Sequence, residues 1–308
     1  MSDNRYDCLA ITLNPAIDRT ITIQNFQAGK VNRVQGEYSN AGGKGVNVAS
    51  SLADAGHRVA VTGFLGRENV TLFERLFARK RISDYFVRLD GETRVGIKIT
   101  DPVLKETTDI NFPGAEPLPS DLTSLRASIG QIDAEWFVIA GSLPPGVETT
   151  IYRDLTQAVK AQGRKVALDT SGETLNHAIE ALPAFIKPNI HELEGLVGRQ
   201  LSSHEEVAAA ARELVARGID TVVVSMGGEG ACFASNEGVL FATPPSIEVR
   251  STVGAGDAMV AGVLSGKLRR LSLAETARLS TAFSVRAIGK FEGEVSVDEI
   301  AQKVSVRS

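Results

Sequence analysis

The stretch WFVIAGSLPPGVETTIYRDLTQAVKAQGRKVALDTSGETLNHAIEALPAFIKPN (136–189) decides the architecture. WFVIAGSL is a short, continuous apolar run closed by a Pro/Gly turn, which reads as a buried strand. Ile151 to Gln162 places apolar residues at helical spacing and stops at Gly163. KVALDTSG is a second strand and ETLNHAIEAL a second helix, and FIKPN leads into a further helical stretch, HELEGLVG (191–198). Apolar strands alternating with such helices indicate βαβ units, hence a parallel sheet covered on both faces.

The same rhythm runs outward in both directions. CLAITL (8–13) and VAVTGFL (59–65) read as strands. VNVASSLADAG (46–56) reads as a helix stopped by Gly56, and NVTLFERLFARK (69–80) as one whose inner face carries Val70, Phe73, Leu76 and Phe77. Ser202 and Glu205 have the spacing of a capping box opening VAAAARELVARG (207–218). VVVSMGGEGA (222–231) is a buried strand that ends at Ser225 and turns through Gly227 and Gly228 to Gly230. Two segments break the pattern. TITIQNFQAGKVNRVQGEYS (20–39) and TRVGIKITDPVLKETTDINF (93–112) alternate with period two and no helix between, which predicts an antiparallel sheet outside the main one. Such a sheet exposes a face and edges that a partner would cover.

Composition bounds the function. A chain of 308 residues, 43% hydrophobic and 23% charged, is an ordinary globular protein of one large or two smaller domains. With 33 Lys+Arg against 37 Asp+Glu the net charge is −4, which offers no basic footprint for nucleic acid. A local cationic cluster can still hold a small anion. Cys8 and Cys232 lie in apolar runs and read as core packing, without a disulfide framework, as suits a reducing compartment. His57, His177, His191 and His204 are scattered, and HELEG lacks the second His of a helical zinc site. The start MSDNRYD is polar and no apolar run approaches a membrane span, so a soluble, cytoplasmic protein without membrane partners is expected.

STVGAGDAMVAGVLSG (251–266) is the first motif with chemistry in it. Small residues open directly into an apolar helix, and the first turn of such a helix presents free N–H groups and a partial positive charge to an anion. Taken alone, Asp257 at its mouth reads equally as a functional acid or as a favourable first-turn residue. No Walker A loop occurs, GVLSGKL (262–268) lacking its spacing, and GGKGVNVA (42–49) misses the third small residue of a dinucleotide fingerprint.

The motif has company: NPAID (14–18), AGGKGVNVA (41–49), GSLPPG (141–146), LDTSG (168–172), KPNIHELE (187–194), VVVSMGGEGA and VGAGDAMVAG (253–262), in that order. This ordered set, spanning essentially the whole chain, resembles the PfkB family of carbohydrate kinases. The resemblance implies a single ribokinase-like domain over 1–308, a three-layer α/β/α sandwich with a β lid drawn from about 16–39 and 93–112. It also implies lid-to-lid homodimers, ATP as phosphoryl donor and Mg²⁺, and leaves K⁺ open as a further ion. NPAID, the lysine in AGGKG, TRVGIKIT and TDINF point to the phosphosugar-using branch. Fructose 1-phosphate is then the expected acceptor, with tagatose 6-phosphate and fructose 6-phosphate as alternatives and a non-catalytic sugar-phosphate sensor as the rival of another class.

Carried over residue by residue, the resemblance makes Asp257 the catalytic base and Gly254, Ala255 and Gly256 the cradle of the transferred phosphoryl group. As an aspartate at a helix N-terminus, Asp257 is expected to be an even weaker base than usual. Asp18, Gly42, Gly43, Lys44, Asn47, Arg94 and Asn111 are expected to bind the sugar phosphate, with Lys30 and Arg33 reaching it from the lid. Lys187, Ser225, Gly227 and Gly230 fall on the ATP side. Glu192, Asn189 and Asp169 are the expected metal residues, Asn189 and Glu192 serving equally well as helix cap and third-position acid.

Overall fold

The computed structural model describes residues 5–250, 252–291 and 293–308. The main sheet is built from β1 (Tyr6–Thr12), β4 (Val59–Gly66), β5 (Ser83–Asp84), β6 (Val87–Leu89), β9 (Ala134–Ala140), β10 (Lys165–Asp169), β11 (Phe185–Ile186), β12 (Thr221–Ser225), β13 (Ala231–Ser235), β14 (Gly238–Thr243) and β15 (Ser305–Arg307). Its order is β15-β14-β13-β12-β11-β10-β9-β1-β4-β5, with β6 pairing with β4. Strands from β5 to β12 run parallel, and β12 to β15 close the edge antiparallel.

Helices cover both faces as the apolar strands require. On one side lie α1 (Lys44–Asp54), α2 (Thr71–Lys80), α8 (Ala255–Leu268), α9 (Leu273–Ile288) and α10 (Val297–Ala301). On the other lie α3 (Pro119–Gln131), α4 (Ile151–Ala161), α5 (Gly172–Ala178), α6 (Ile190–Val197) and α7 (His204–Ala216). Successive side chains of one strand feed the two layers in turn. Cys8 and Ala10 pack into the first layer and Leu9, Ile11 and Leu13 into the second, while Trp136 and Val138 alternate likewise with Phe137 and Ile139. The central strands therefore read as unbroken apolar runs.

The two period-two segments form a separate four-stranded sheet, β3-β2-β7-β8, from β2 (Ala16–Thr22), β3 (Gly36–Gly42), β7 (Val95–Asp101) and β8 (Glu106–Asn111). It is not wholly antiparallel as expected: β2 and β7 pair in parallel. The chain passes through α1, β4 and α2 between them, and a crossover of that length returns a strand in the same direction. The cap of α7 is shifted by one residue from the expected Ser202–Glu205. Ser203 Oγ accepts from the Glu206 amide at 3.2 Å, and the Glu206 carboxylate accepts from Ser202 N. The doublet SSHEE permits either register, and the observed one starts the helix at His204 with Val207, Ala210, Ala211 and Leu214 inward. Among the described residues no helix is long and apolar enough to cross a membrane.

Candidate active site

Strand β1 has β4 on one side and β9 on the other, so the winding of the sheet reverses between β1 and β9. Where adjacent connections leave in opposite directions, the carboxyl ends of the strands open a crevice. Asn14, just beyond β1 and buried, fills the root of it. Its Nδ2 donates to the carbonyls of Pro113 at 3.0 Å and Leu143 at 3.1 Å. The expected site residues fall around this crevice: Asp169 ends β10, Lys187 follows β11, Ser225 ends β12, and α1 and α8 aim their N-termini at it.

Gly254 caps α8 in the left-handed region (φ 84°). The first helical bond runs from Ala258 N to Gly254 O, which leaves the amides of the preceding turn outside the helix ladder. Asp257 lies in that turn, only 9% exposed. Its Oδ2 accepts from Asn47 Nδ2 at 2.8 Å. Asn47, expected to meet a sugar hydroxyl, turns its Nδ2 to the carboxylate, because α1 and α8 pack side by side. The proton affinity of Asp257 also departs from expectation. Burial, reinforced by the Asp169 charge, pushes its carboxyl up to about 6, against the opposing pull of Asn47, Lys44 and Lys187. The helix N-terminus does not prevail here, since desolvation of a buried carboxylate is the larger effect.

Asp169 is fully enclosed, and its Oδ1 faces two ammonium groups, Lys44 Nζ at 3.1 Å and Lys187 Nζ at 3.5 Å. Burial alone would raise this carboxyl, but Lys187 and Lys44 outweigh it and hold it below the usual carboxylate range. Lys44 in turn stays charged: burial works against it, and Asp169 and Asp257 more than compensate. A Cβ at Gly256 would stand 3.2 Å from Lys187 Nζ. The Lys187 ammonium therefore faces the first turn of α8.

On the small sheet, register places Asp18 opposite Gly96 and Gly96 opposite Asn111. A Cβ at Gly96 would lie 3.2 Å from Asp18 Oδ1 and 3.3 Å from Asn111 Oδ1, so the two side chains converge over the bare glycine. Asp18 is raised by burial above its ordinary value despite Lys98 and Arg94 nearby. Gly42 ends β3 beside it and Gly43 caps α1. Arg94 lies immediately ahead of β7. Its guanidinium donates to Asn14 O (3.1 and 3.3 Å) and Phe112 O (3.1 Å), clasping two points where the chain crosses between the sheets. Lys30 and Arg33 are exposed on the loop between β2 and β3.

Beyond α8 lies a cavity of about 650 Å³. Ser225, Gly227 and Gly230 line it as expected, together with Ala255 and Gly256. Sequence reasoning missed its apolar wall of Pro244, Pro245, Ile247, Val249 and Met259 and its floor from α9 (Thr281, Ser284, Ile288). The signal was the apolar run ahead of the glycine turn. Asn14 and Gly96 were missed as well, though both lie inside the quoted motifs.

Asn189 caps α6 and forms a reciprocal box with Glu192, Asn189 Oδ1 accepting from Glu192 N and Glu192 Oε2 from Asn189 N, both at 2.8 Å. Asp169, the third expected metal residue, directs its Oδ1 at the two lysines. Among the described residues no group of three or more His, Cys, Asp or Glu is placed to hold a metal. The donor set fits Mg²⁺ only in the form this ion favours, carried largely by water and nucleotide phosphates with the remaining Glu192 oxygen beside it.

The chain belongs to the pfkB family of carbohydrate kinases, whose model matches residues 11–299, and so to the class of ATP-dependent sugar kinases. It is 45% identical over 305 residues to the 1-phosphofructokinase of Rhodobacter capsulatus, covering 97% of this chain and 96% of that one. The phosphofructokinase-2 of Escherichia coli in complex with substrates and products superposes with a TM-score of 0.89 at 29% identity, over 97% of both chains. The tetrameric inhibited form of that enzyme superposes with a TM-score of 0.86 at 29% identity, over 92% of this chain and 94% of that one.

Proposed function

We propose that the protein transfers the γ-phosphoryl group of ATP to the C6 hydroxyl of fructose 1-phosphate, giving fructose 1,6-bisphosphate and ADP. The observation that carries this reading is the buried Asp257 carboxylate, held by Asn47 in the first turn of the helix whose Ala255 and Gly256 line the cavity. The named acceptor rests on the likeness to the Rhodobacter enzyme.

In this reading Asp18 and Asn111 orient sugar hydroxyls and Asp257 accepts the proton of the attacking one. At pH 7 a carboxyl titrating near 6 is mostly ionised, yet a better base than an ordinary aspartate. The free amides of the 254–257 turn hold the phosphoryl oxygens, and Lys44 and Lys187 add charge on either flank. When bound with the nucleotide, Mg²⁺ would neutralise phosphate charge beside Asn189 and Glu192. The apolar wall and the turn at 227–230 take the nucleoside. The small sheet acts as a lid whose exposed apolar residues, Val31, Tyr38, Ile110 and Phe112 among them, are covered in a homodimer. Two buried, unpaired cysteines suit a cytoplasmic setting.

The test is a coupled ADP-release assay with Mg²⁺ and K⁺ present, run across fructose 1-phosphate, fructose 6-phosphate, tagatose 6-phosphate and free fructose. Fructose 1-phosphate is expected to give the highest kcat/KM by at least about 10-fold. Preference for tagatose 6-phosphate would overturn the named acceptor, and equal use of free fructose would overturn the phosphosugar assignment.

A further inference from the structure

The feature left over from this account is the enclosed carboxylate of Asp169. It is the only acid with which either Lys44 or Lys187 forms an ion pair among the described residues. Its second oxygen, Oδ2, is buried and has no hydrogen-bond partner. A buried acceptor left unpaired costs stability. A carboxylate in such a place is therefore retained for what its charge does to its neighbours.

We propose that Asp169 is a positioning residue, a buried clamp that joins one lysine of the acceptor loop and one lysine of the nucleotide side into a single unit beside the Asp257 carboxylate. Lys44 is the first residue of α1, reached through the Gly42–Gly43 corner of the small sheet. Lys187 comes from the end of β11 and faces the Gly256 turn. The two arrive from opposite sides of the crevice and meet on one oxygen. Two ammonium groups on one carboxylate would repel without it, and Lys187, 7% exposed, has no water to retreat to. The clamp thus fixes the spacing of the two positive charges across which the phosphoryl group moves.

The same charge acts on Asp257. The titratable groups that bear on that carboxylate are Asp169 from β10, Lys44 from α1 and Lys187 from β11, with the Asn47 amide as the neutral donor. Asp169 raises its proton affinity and the two lysines lower it. The arrangement keeps the cations close enough for phosphate while their shared counter-ion stops them from weakening the base.

This inference rests on the assignment of Asp257 as proton acceptor, and the experiment separates the two. The acid limb of kcat/KM against pH, which reports the free enzyme's base, is measured for wild type, Asp169→Asn and Lys44→Gln, with KM for each substrate and a melting curve for each variant. Removing the negative neighbour should move the limb of Asp169→Asn to lower pH by about one unit, and removing a positive one should move that of Lys44→Gln upward. Asp169→Asn should also raise KM for both the sugar phosphate and ATP, by about 10-fold each, because it releases one lysine on each side. Lys44→Gln should raise the sugar KM alone. Local damage would not shift two variants of one cluster in opposite directions. An unmoved limb in folded Asp169→Asn, or shifts of the same sign in both variants, would overturn the clamp. If Asp169→Asn fails to fold, the upward shift in Lys44→Gln decides the matter, and its absence overturns the proposal. Full turnover in Asp257→Asn would instead remove the base assignment itself.

Discussion

Asn47 Nδ2 donates to Asp257 Oδ2 at 2.8 Å although 210 residues separate them in the chain. The bond joins α1, which follows the small sheet, to the first turn of α8, which opens onto the cavity. The proposed base is therefore held by the helix that follows the Gly42–Gly43 corner.

Replacing Asn47 by Leu keeps the volume and removes the donor. The bond favours the ionised carboxylate, so its loss raises the Asp257 proton affinity further and moves the acid limb of kcat/KM to higher pH. Turnover at pH 7 should fall by about 10-fold, the order expected for one hydrogen bond to a charged group. Steady-state kinetics from pH 5 to 9 checks both.

Asp257→Asn should lower kcat by about 10²–10⁴ with little change in sugar binding. It should also stabilise the fold. The folded-state carboxyl titrates near 6 against an ordinary 3.8, so the native protein binds the proton more tightly than the unfolded chain. The ionised carboxylate then costs stability above pH 6, up to about 3 kcal/mol, and the cost fades as the pH falls from 6 toward 4. Thermal melts should accordingly show the variant several degrees more stable than wild type at pH 8 and level with it at pH 4.

Arg94→Gln breaks the clasp on Asn14 O and Phe112 O. Amide hydrogen exchange should rise in the segments around residues 13–16 and 111–114, which link the two sheets. KM for the sugar phosphate should increase about 10-fold while KM for ATP changes little, read by initial rates with each substrate varied in turn.

Glu192→Gln keeps the capping box, since glutamine also accepts from the cap amide, and removes one charge beside the metal–nucleotide position. The Mg²⁺ concentration for half-maximal rate should rise several-fold with the melting midpoint unchanged. Unchanged Mg²⁺ dependence at saturating ATP would detach Glu192 from the metal.

Paired substitution of Tyr38 and Ile110 by Asp places charge on the exposed apolar part of the small sheet, where the two side chains are 60% and 44% exposed. Light scattering should drop from about twice the chain mass to that of a single chain. A wild-type protein that is already monomeric and fully active would remove the lid dimer.

By itself the sequence determined the layers, the order of most elements and the residues that gather at the crevice. For the layers and elements that legibility is local in origin. Strands buried on both faces are apolar throughout and helices stop at glycines such as Gly56 and Gly163, whereas the site residues are legible only through the ordered set of motifs along the chain. What tertiary structure alone decided is how charge is distributed once those elements meet. Asp257 reads in sequence as a base weakened by a helix terminus, and becomes a stronger one because packing strips its water and sets the Asp169 charge nearby. Asp169 is expected beside the metal, and what the structure adds is its pairing with Lys44 and Lys187, which lie 125 and 18 residues from it in the chain. Arg94 reads as a phosphate binder and is engaged by two backbone carbonyls. The parallel pairing of β2 with β7 was hidden for a related reason, since pairing direction follows from the path of the chain between strands rather than from the strands themselves. Desolvation and Coulomb interactions depend on which side chains become neighbours across long loops, and no window of sequence carries that information.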